Sequence, residues 1–201
     1  NIIEFKQETE LNLRSLESKE KTQTGLELLS VGRFHKSKRT LELVSDCPRS
    51  IGGKAVRLTL AGFASASDAA YVSAIRSIAS SRDLHIDILQ NADKETLDDC
   101  YSRSDIFVST SGTENFGNAI GEALAYGLPA VVNEETDFWP NTTCPGLFAC
   151  SDTGLEKALV EAERHTTTYS KKQSKANFEN FWVAYCDSRF LDFTNRCCGL
   201  V

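Results

Sequence analysis

The residues best able to do chemistry fall in two short stretches. In "TENFGNAIGEALAYGLP", Thr113 to Pro129, Glu114 and Glu122 flank an "NFGN" turn. Gly117 lets the main chain come close to a ligand. The amides of Phe116, Gly117 and Asn118 stand at a helix start, where N–H groups lack internal partners and can receive an anion. A plain helix cap by Asn115 or Asn118 is the alternative there. Glu122 follows Asn118 by one helical turn, so the two share a face. Its neighbours Ala119, Ile120, Ala123 and Leu124 form the stripe expected to be buried. A carboxylate beside such a stripe needs partners, and ligand hydroxyls can supply them. Glu114, ahead of the helix, faces the other end of the same ligand. The second stretch is "VGRFHKSK", in which Arg33 and Lys38 flank a strand-to-helix turn. Two cations beside a helix start suit a diphosphate, and a solvated basic turn is the alternative. Phosphates over the helix start with an acid gripping hydroxyls on either side is the layout of a nucleoside diphosphate sugar.

These residues need a scaffold, and the hydrophobic pattern supplies one from Leu26 onward. "LELLSV", "VRLTLAG", "LHIDIL", "DIFVST" and "PAVV" read as strands, because they are short apolar runs bounded by turn residues. Between them "RTLELVSDC", "SDAAYVSAIRSIASS" and "DKETLDDCYSR" carry helical spacing, the last capped by Asp93. The helix after Asn118 stops at Gly127, with Pro129 just beyond. A short apolar run "GLFAC", a helix "GLEKALVEAERH" and a last helical region from about Ser170 to Cys197 follow. Alternating strands and helices, with strands apolar on both faces, predict an α/β fold: a doubly wound, mainly parallel, Rossmann-like sheet with extra C-terminal helices. Such sheets bind ligands at the carboxyl ends of their strands. Residues 1–24 are charged and read as a lead-in or linker, and residues 25–201 as one domain.

Composition narrows the function. The chain has 201 residues and a net charge of -6, which argues against nucleic acid as a partner. No apolar run approaches bilayer length and no signal-peptide pattern opens the chain. The absence of methionine points to a piece of a longer protein. Seven cysteines without a Cys-x-x-Cys pair read as free thiols of a cytoplasmic protein. The three histidines have no zinc-ligand spacing to them, so no metal is expected. A Gly-x-Gly-x-x-Gly fingerprint, a Walker loop and a Gly-x-Ser-x-Gly elbow are all missing; "GGK" at Gly52 to Lys54 reads as a surface turn.

"ENFGNAIGEALAYGLPAVV", with its Glu-x7-Glu pair, resembles the donor-binding segment of the retaining GT-B glycosyltransferases of family 4, also called group 1. "SVGRFHKSK" is similar to that family's Gly-Arg turn with a lysine five residues on, and "DDCYSRSDIFVSTS" to the stretch leading into the first glutamate. The resemblance runs from about Leu26 to Val132. It implies one half of a GT-B fold, the C-terminal half, which holds a nucleotide-sugar. It implies that Arg33 and Lys38 bind the diphosphate, stabilising the leaving nucleotide, and that Glu114 positions the sugar near the reacting carbon. Gly32, Phe116, Gly117 and Asn118 would approach the donor, Glu122 the ribose, and the loop of Gln90 and Asn91 the base. No metal and no cofactor besides the donor substrate is implied. The acceptor-binding domain, or a partner chain replacing it, would be separate, and any membrane association would run through that part. A non-catalytic donor-binding subunit, a nucleotide-sugar epimerase of the same architecture and a plain interaction domain are the rivals. The sequence departs from the family after the fifth strand. "NEETDFWPN" replaces a Gly-Gly turn, and Glu134, Glu135 and Asp137 would repel phosphate if they pointed inward. The closing helices would pack toward the separate half, with Phe178, Phe181, Trp182 and Phe190 partly exposed or completing this domain's own core.

Overall fold

A computed structural model describes residues 25–113, 118–136, 144–151 and 154–181. Strands and helices alternate: β1 (Gly25–Val31), α1 (Thr40–Asp46), β2 (Ser50–Ile51), β3 (Lys54–Gly62), α2 (Ala69–Ser81), β4 (His85–Gln90), α3 (Lys94–Arg103), β5 (Ile106–Ser109), α4 (Asn118–Ala125), β6 (Ala130–Asn133), β7 (Leu147–Cys150) and α5 (Leu155–Thr168). A last described helix, α6, spans 171–181. The strands join in one sheet of order β4, β3, β1, β5, β6, β7, and every pair in that series is parallel. The two-residue β2 adds an antiparallel edge beside the start of β3. It exists because Gly52 and Gly53 both hold positive φ, the geometry of a tight hairpin turn. "GGK" is therefore a turn, as expected, and the short strand ahead of it is an addition to the expected set. So is β7, which continues the parallel order from the run "LFAC".

Side-chain alternation divides the core into two layers. Leu26 and Leu28 of β1, Ile106 and Val108 of β5 and Val131 of β6 pack with α1, α2 and α5 on one face. Leu29, Phe107, Ala130 and Val132 point the other way, against α3, α4 and α6. The period of two along each strand thus buries both faces, the signature of a parallel sheet between helical layers. Phe178 of α6 is buried and Phe181 packs against the same layer, so these two complete this domain's core. Trp182 and Phe190 lie outside the described residues.

Connections through α1 and α2 build the sheet outward from β1 to β4; α3 then carries the chain back to β5 on the opposite side of β1. The order reverses between β1 and β5. In sheets of this kind the loops leaving the strand ends diverge at such a reversal, and ligands bind there on the carboxyl edge.

Candidate functional site

The loop after β1 is laced to the loop after β3. Gly32 N–H donates to the Ala61 carbonyl at 2.9 Å and Phe34 N–H to the Phe63 carbonyl at 2.8 Å, with Phe34 itself buried. Gly62 lets the two backbones meet, since a Cβ placed there would lie 1.8 Å from the Gly32 carbonyl oxygen. Residues Lys36–Lys38 form a single 3-10 turn capped by His35, and Lys38 N–H donates to the His35 carbonyl. Thr110, just past β5, donates its hydroxyl to the Arg39 carbonyl at 2.9 Å, fixing this turn to the far side of the crevice.

A cavity of about 570 Å³ opens among these loops, lined by Val31, Gly32, Arg33, Gly62, Phe63, Asn91, Ala92 and Leu97. Arg33 is exposed, and its guanidinium carbon lies 5.7 Å from the centre of the Phe63 ring, a cation–π contact. Phe63 is 56% exposed, unusual for a phenylalanine at a strand end. The aliphatic stem of Lys38 runs alongside Gly32, so both expected cations flank that glycine. Asp68 sits nearby in a capping box with Ser65. Bonds from the Ser65 side chain and backbone hold its carboxyl below the usual range, and the charges of Arg33 and His35 add to this while burial opposes it.

Asn91 closes the third side of the cavity with φ at 56°, a left-handed turn that asparagine tolerates. Its side chain bonds Ala64 twice, the oxygen accepting from the Ala64 N–H and the amide donating to the Ala64 carbonyl, each at 3.1 Å. The side chain therefore pins the loop after β3, beside the apolar wall of Ala92 and Leu97.

Glu122 is half-buried in the second turn of α4, as its place beside the apolar stripe led one to expect. The hydroxyl of Tyr101 on α3 donates to its Oε2 at 2.8 Å. Tyr101 is almost fully buried; burial and then the charge of Glu122 push its phenol well above the ordinary range, so it stays a donor. It stacks on Tyr126 at 5.2 Å between ring centres, and Tyr126 donates to Asp98 at 2.8 Å. Asn118, the first residue of α4, is exposed. Glu114, Phe116 and Gly117 lie outside the described residues, as does Asp137.

Of the acidic run after β6, Glu135 turns toward Arg39 and the loop after β5. Glu135 lies 3.6 Å from the Arg39 guanidinium, and its carboxylate is next to Gly112. The Asn133 side-chain oxygen accepts from Glu135 N–H at 2.8 Å and Thr136 donates to the Ser111 carbonyl at 2.6 Å. Glu135, one of the three acids expected to repel phosphate, is thus paired with Arg39.

Arg33, Gly32 and Asn91 therefore line one cavity, with the stem of Lys38 beside Gly32, whereas Glu122 is not among its lining residues. Sequence reasoning missed Phe63, Ala92 and Leu97, and it missed Tyr101. A signal for Tyr101 existed: it follows Leu97 by four residues, on the same face of α3. Among the described residues no cluster of metal-ligating side chains occurs, and no helix is long and apolar enough to cross a membrane.

The family described as "Glycosyl transferases group 1" matches residues 14–164 of this chain. No curated protein sequence matches it. Among solved structures, a glycosyltransferase from Rickettsia africae ESF-5 superposes with a TM-score of 0.66 at 15% identity, over 87% of this chain and 47% of its own length. The catalytic domain of cholesterol-alpha-glucosyltransferase from Helicobacter pylori gives 0.63 at 15% identity, over 79% of this chain and 99% of that one. The C-terminal domain of the group 1 family protein LpcC from Francisella tularensis gives 0.59 at 16% identity, over 80% and 88%. These likenesses establish the fold, the Rossmann-like half seen in GT-B enzymes. The chain spans about half the length of the Rickettsia protein.

Proposed function

The chain belongs to the group 1 glycosyltransferases, and on that premise we propose that it is the half of such an enzyme that holds a nucleoside diphosphate sugar. The observation that carries this reading is a cavity on the carboxyl edge of the sheet lined by Gly32 and Arg33, with the stem of Lys38 against that glycine. Arg33 and Lys38 bind the diphosphate and offset the charge that develops on the leaving nucleotide. The base packs against the apolar wall of Ala92 and Leu97, and Glu122 accepts from the ribose hydroxyls. Glu114 and the amides of Phe116 to Asn118 hold the transferred hexose and its neighbouring phosphate. Transfer proceeds with retention and without a metal, the enzyme acting by position and electrostatics. The acceptor binds to a second domain or a partner chain, which also makes any contact with a membrane, so this half alone binds donor and transfers little.

A thermal-shift panel of UDP, GDP, ADP and their sugars tests this. At least one should stabilise the wild-type protein, because a ligand that binds only the folded state raises the unfolding midpoint. Arg33→Ala and Lys38→Ala should each shrink that shift. Equal shifts in wild type and both variants would remove the assigned roles, and no shift from any nucleotide would remove the donor-binding reading itself.

A further inference from the structure

Glu122 extends from a helix face on a flexible side chain, yet one of its two oxygens is fixed. The fixing group is the phenol of Tyr101, 2.8 Å away on the neighbouring helix. Among the described residues Oε1 of Glu122 has no hydrogen-bond partner. Tyr101 is itself immobilised. It is 2% exposed, stacked on Tyr126 and close to Phe107, and its partner ring is anchored by the bond from Tyr126 to Asp98. Four residues earlier on the same face of α3, Leu97 forms a wall of the cavity. Leu97 and Tyr101 thus stand one helical turn apart on α3, the first lining the cavity and the second bonded to the carboxylate.

We propose that Tyr101 is a positioning residue: it holds the Glu122 carboxylate in the one rotamer that presents Oε1 to the ribose hydroxyls of a nucleoside diphosphate. The inference rests on the donor-binding reading of Glu122 and names what makes that acid selective. An unrestrained glutamate would lose rotamer freedom on binding, whereas a carboxylate already bonded on its far side has surrendered it in the free protein. Because the phenol keeps its proton, the arrangement persists wherever Glu122 is ionised.

The test is calorimetric titration of whichever of UDP, GDP or ADP binds tightest, beside its 2′,3′-dideoxy form. Wild type, Y101F, E122A and the double variant are compared. Wild type should prefer the ribonucleotide. Y101F should weaken ribonucleotide binding by roughly three- to tenfold, the range of one hydrogen bond, and leave the dideoxy form unchanged. Adding Y101F to E122A should cost nothing more, since the tyrosine acts only through the acid. Y101F binding the ribonucleotide as wild type does, or weakening both nucleotides alike, overturns the proposal. A wild-type protein that binds both forms equally overturns the ribose role of Glu122 and this inference with it, while the donor-binding reading survives. No binding of any diphosphate sinks all three. If Y101F does not fold, E122D keeps the charge but withdraws the carboxylate from the phenol. An unchanged ribose preference in E122D then overturns the proposal.

Discussion

At the residue scale, the cavity mouth depends on pairs rather than single groups. Arg33 lies over the Phe63 ring, so the ring orients a guanidinium that is otherwise free to sweep through solvent. An exposed contact of this kind contributes about 0.5–1 kcal/mol. Phe63→Ala should therefore weaken nucleoside diphosphate binding by about two- to fivefold, read by titration. Its thermal midpoint should hardly move, because the ring is more than half exposed. The two acids divide their labour in the proposed site. Glu122→Ala should lower affinity for the nucleotide itself, whereas Glu114→Ala should chiefly erase discrimination between nucleotide-sugars that differ only in the sugar. Competition titrations with matched donors separate the two outcomes.

Elements impose their own constraints. β1 and β3 end within touching distance because Gly62, with φ at 156°, carries no Cβ. Gly62→Ala would drive a methyl into the Gly32 carbonyl, parting the two loops that frame the cavity. A loss of about 2–4 kcal/mol in urea unfolding, with nucleotide binding lost alongside, is the expected outcome. Gly127 plays the equivalent part at the end of α4. Its φ of 75° terminates the helix, and a Cβ there would meet the Lys171 carbonyl at the start of α6. At the opposite end of its helix, Asp93 caps α3 by accepting from Thr96 N–H at 2.9 Å. Bonds from the Thr96 side chain and then its backbone hold the Asp93 carboxyl below its ordinary range. A lowered carboxylate stabilises the fold above the unfolded-state range and stops doing so as pH falls through the folded value. The gap in urea midpoint between wild type and Asp93→Ala should be present at neutral pH and shrink in acid. A gap that widens toward low pH would contradict the assignment.

For the whole molecule, two helical layers closed over one sheet determine which groups meet solvent. Cys47, Cys100, Cys144 and Cys150 are all buried. Burial pushes the Cys47 and Cys144 thiols up to about 12 and raises Cys100 as well, so none of these three is a thiolate near neutrality. A colourless thiol reagent should modify these four only as the domain unfolds. Mass mapping of labelled peptides along a urea series should show all four appearing in one transition. Early labelling of Cys47 or Cys150, on the face that holds α1, α2 and α5, would mean that this layer opens separately.

The alternation of short apolar runs with helical periods already determined the order of the main strands and helices, because burial on both faces leaves a parallel strand no polar side. Gly127 and Asp93 marked helix ends for equally local reasons, and Arg33, Gly32 and Lys38 could be proposed because their types and spacing suit a diphosphate wherever a strand meets a helix. The weak elements were not legible. β2 is only a hairpin arm made by two glycines, and β7 depends on the edge that β6 offers it. Nor could local pattern show that Asn91 spends its amide on Ala64, that Phe63 lies under Arg33, or that Tyr101 reaches Glu122 from another helix. Each of those contacts joins segments distant in the chain. Only the packing of layers, which fixes where one helix or loop lies against the next, decides them.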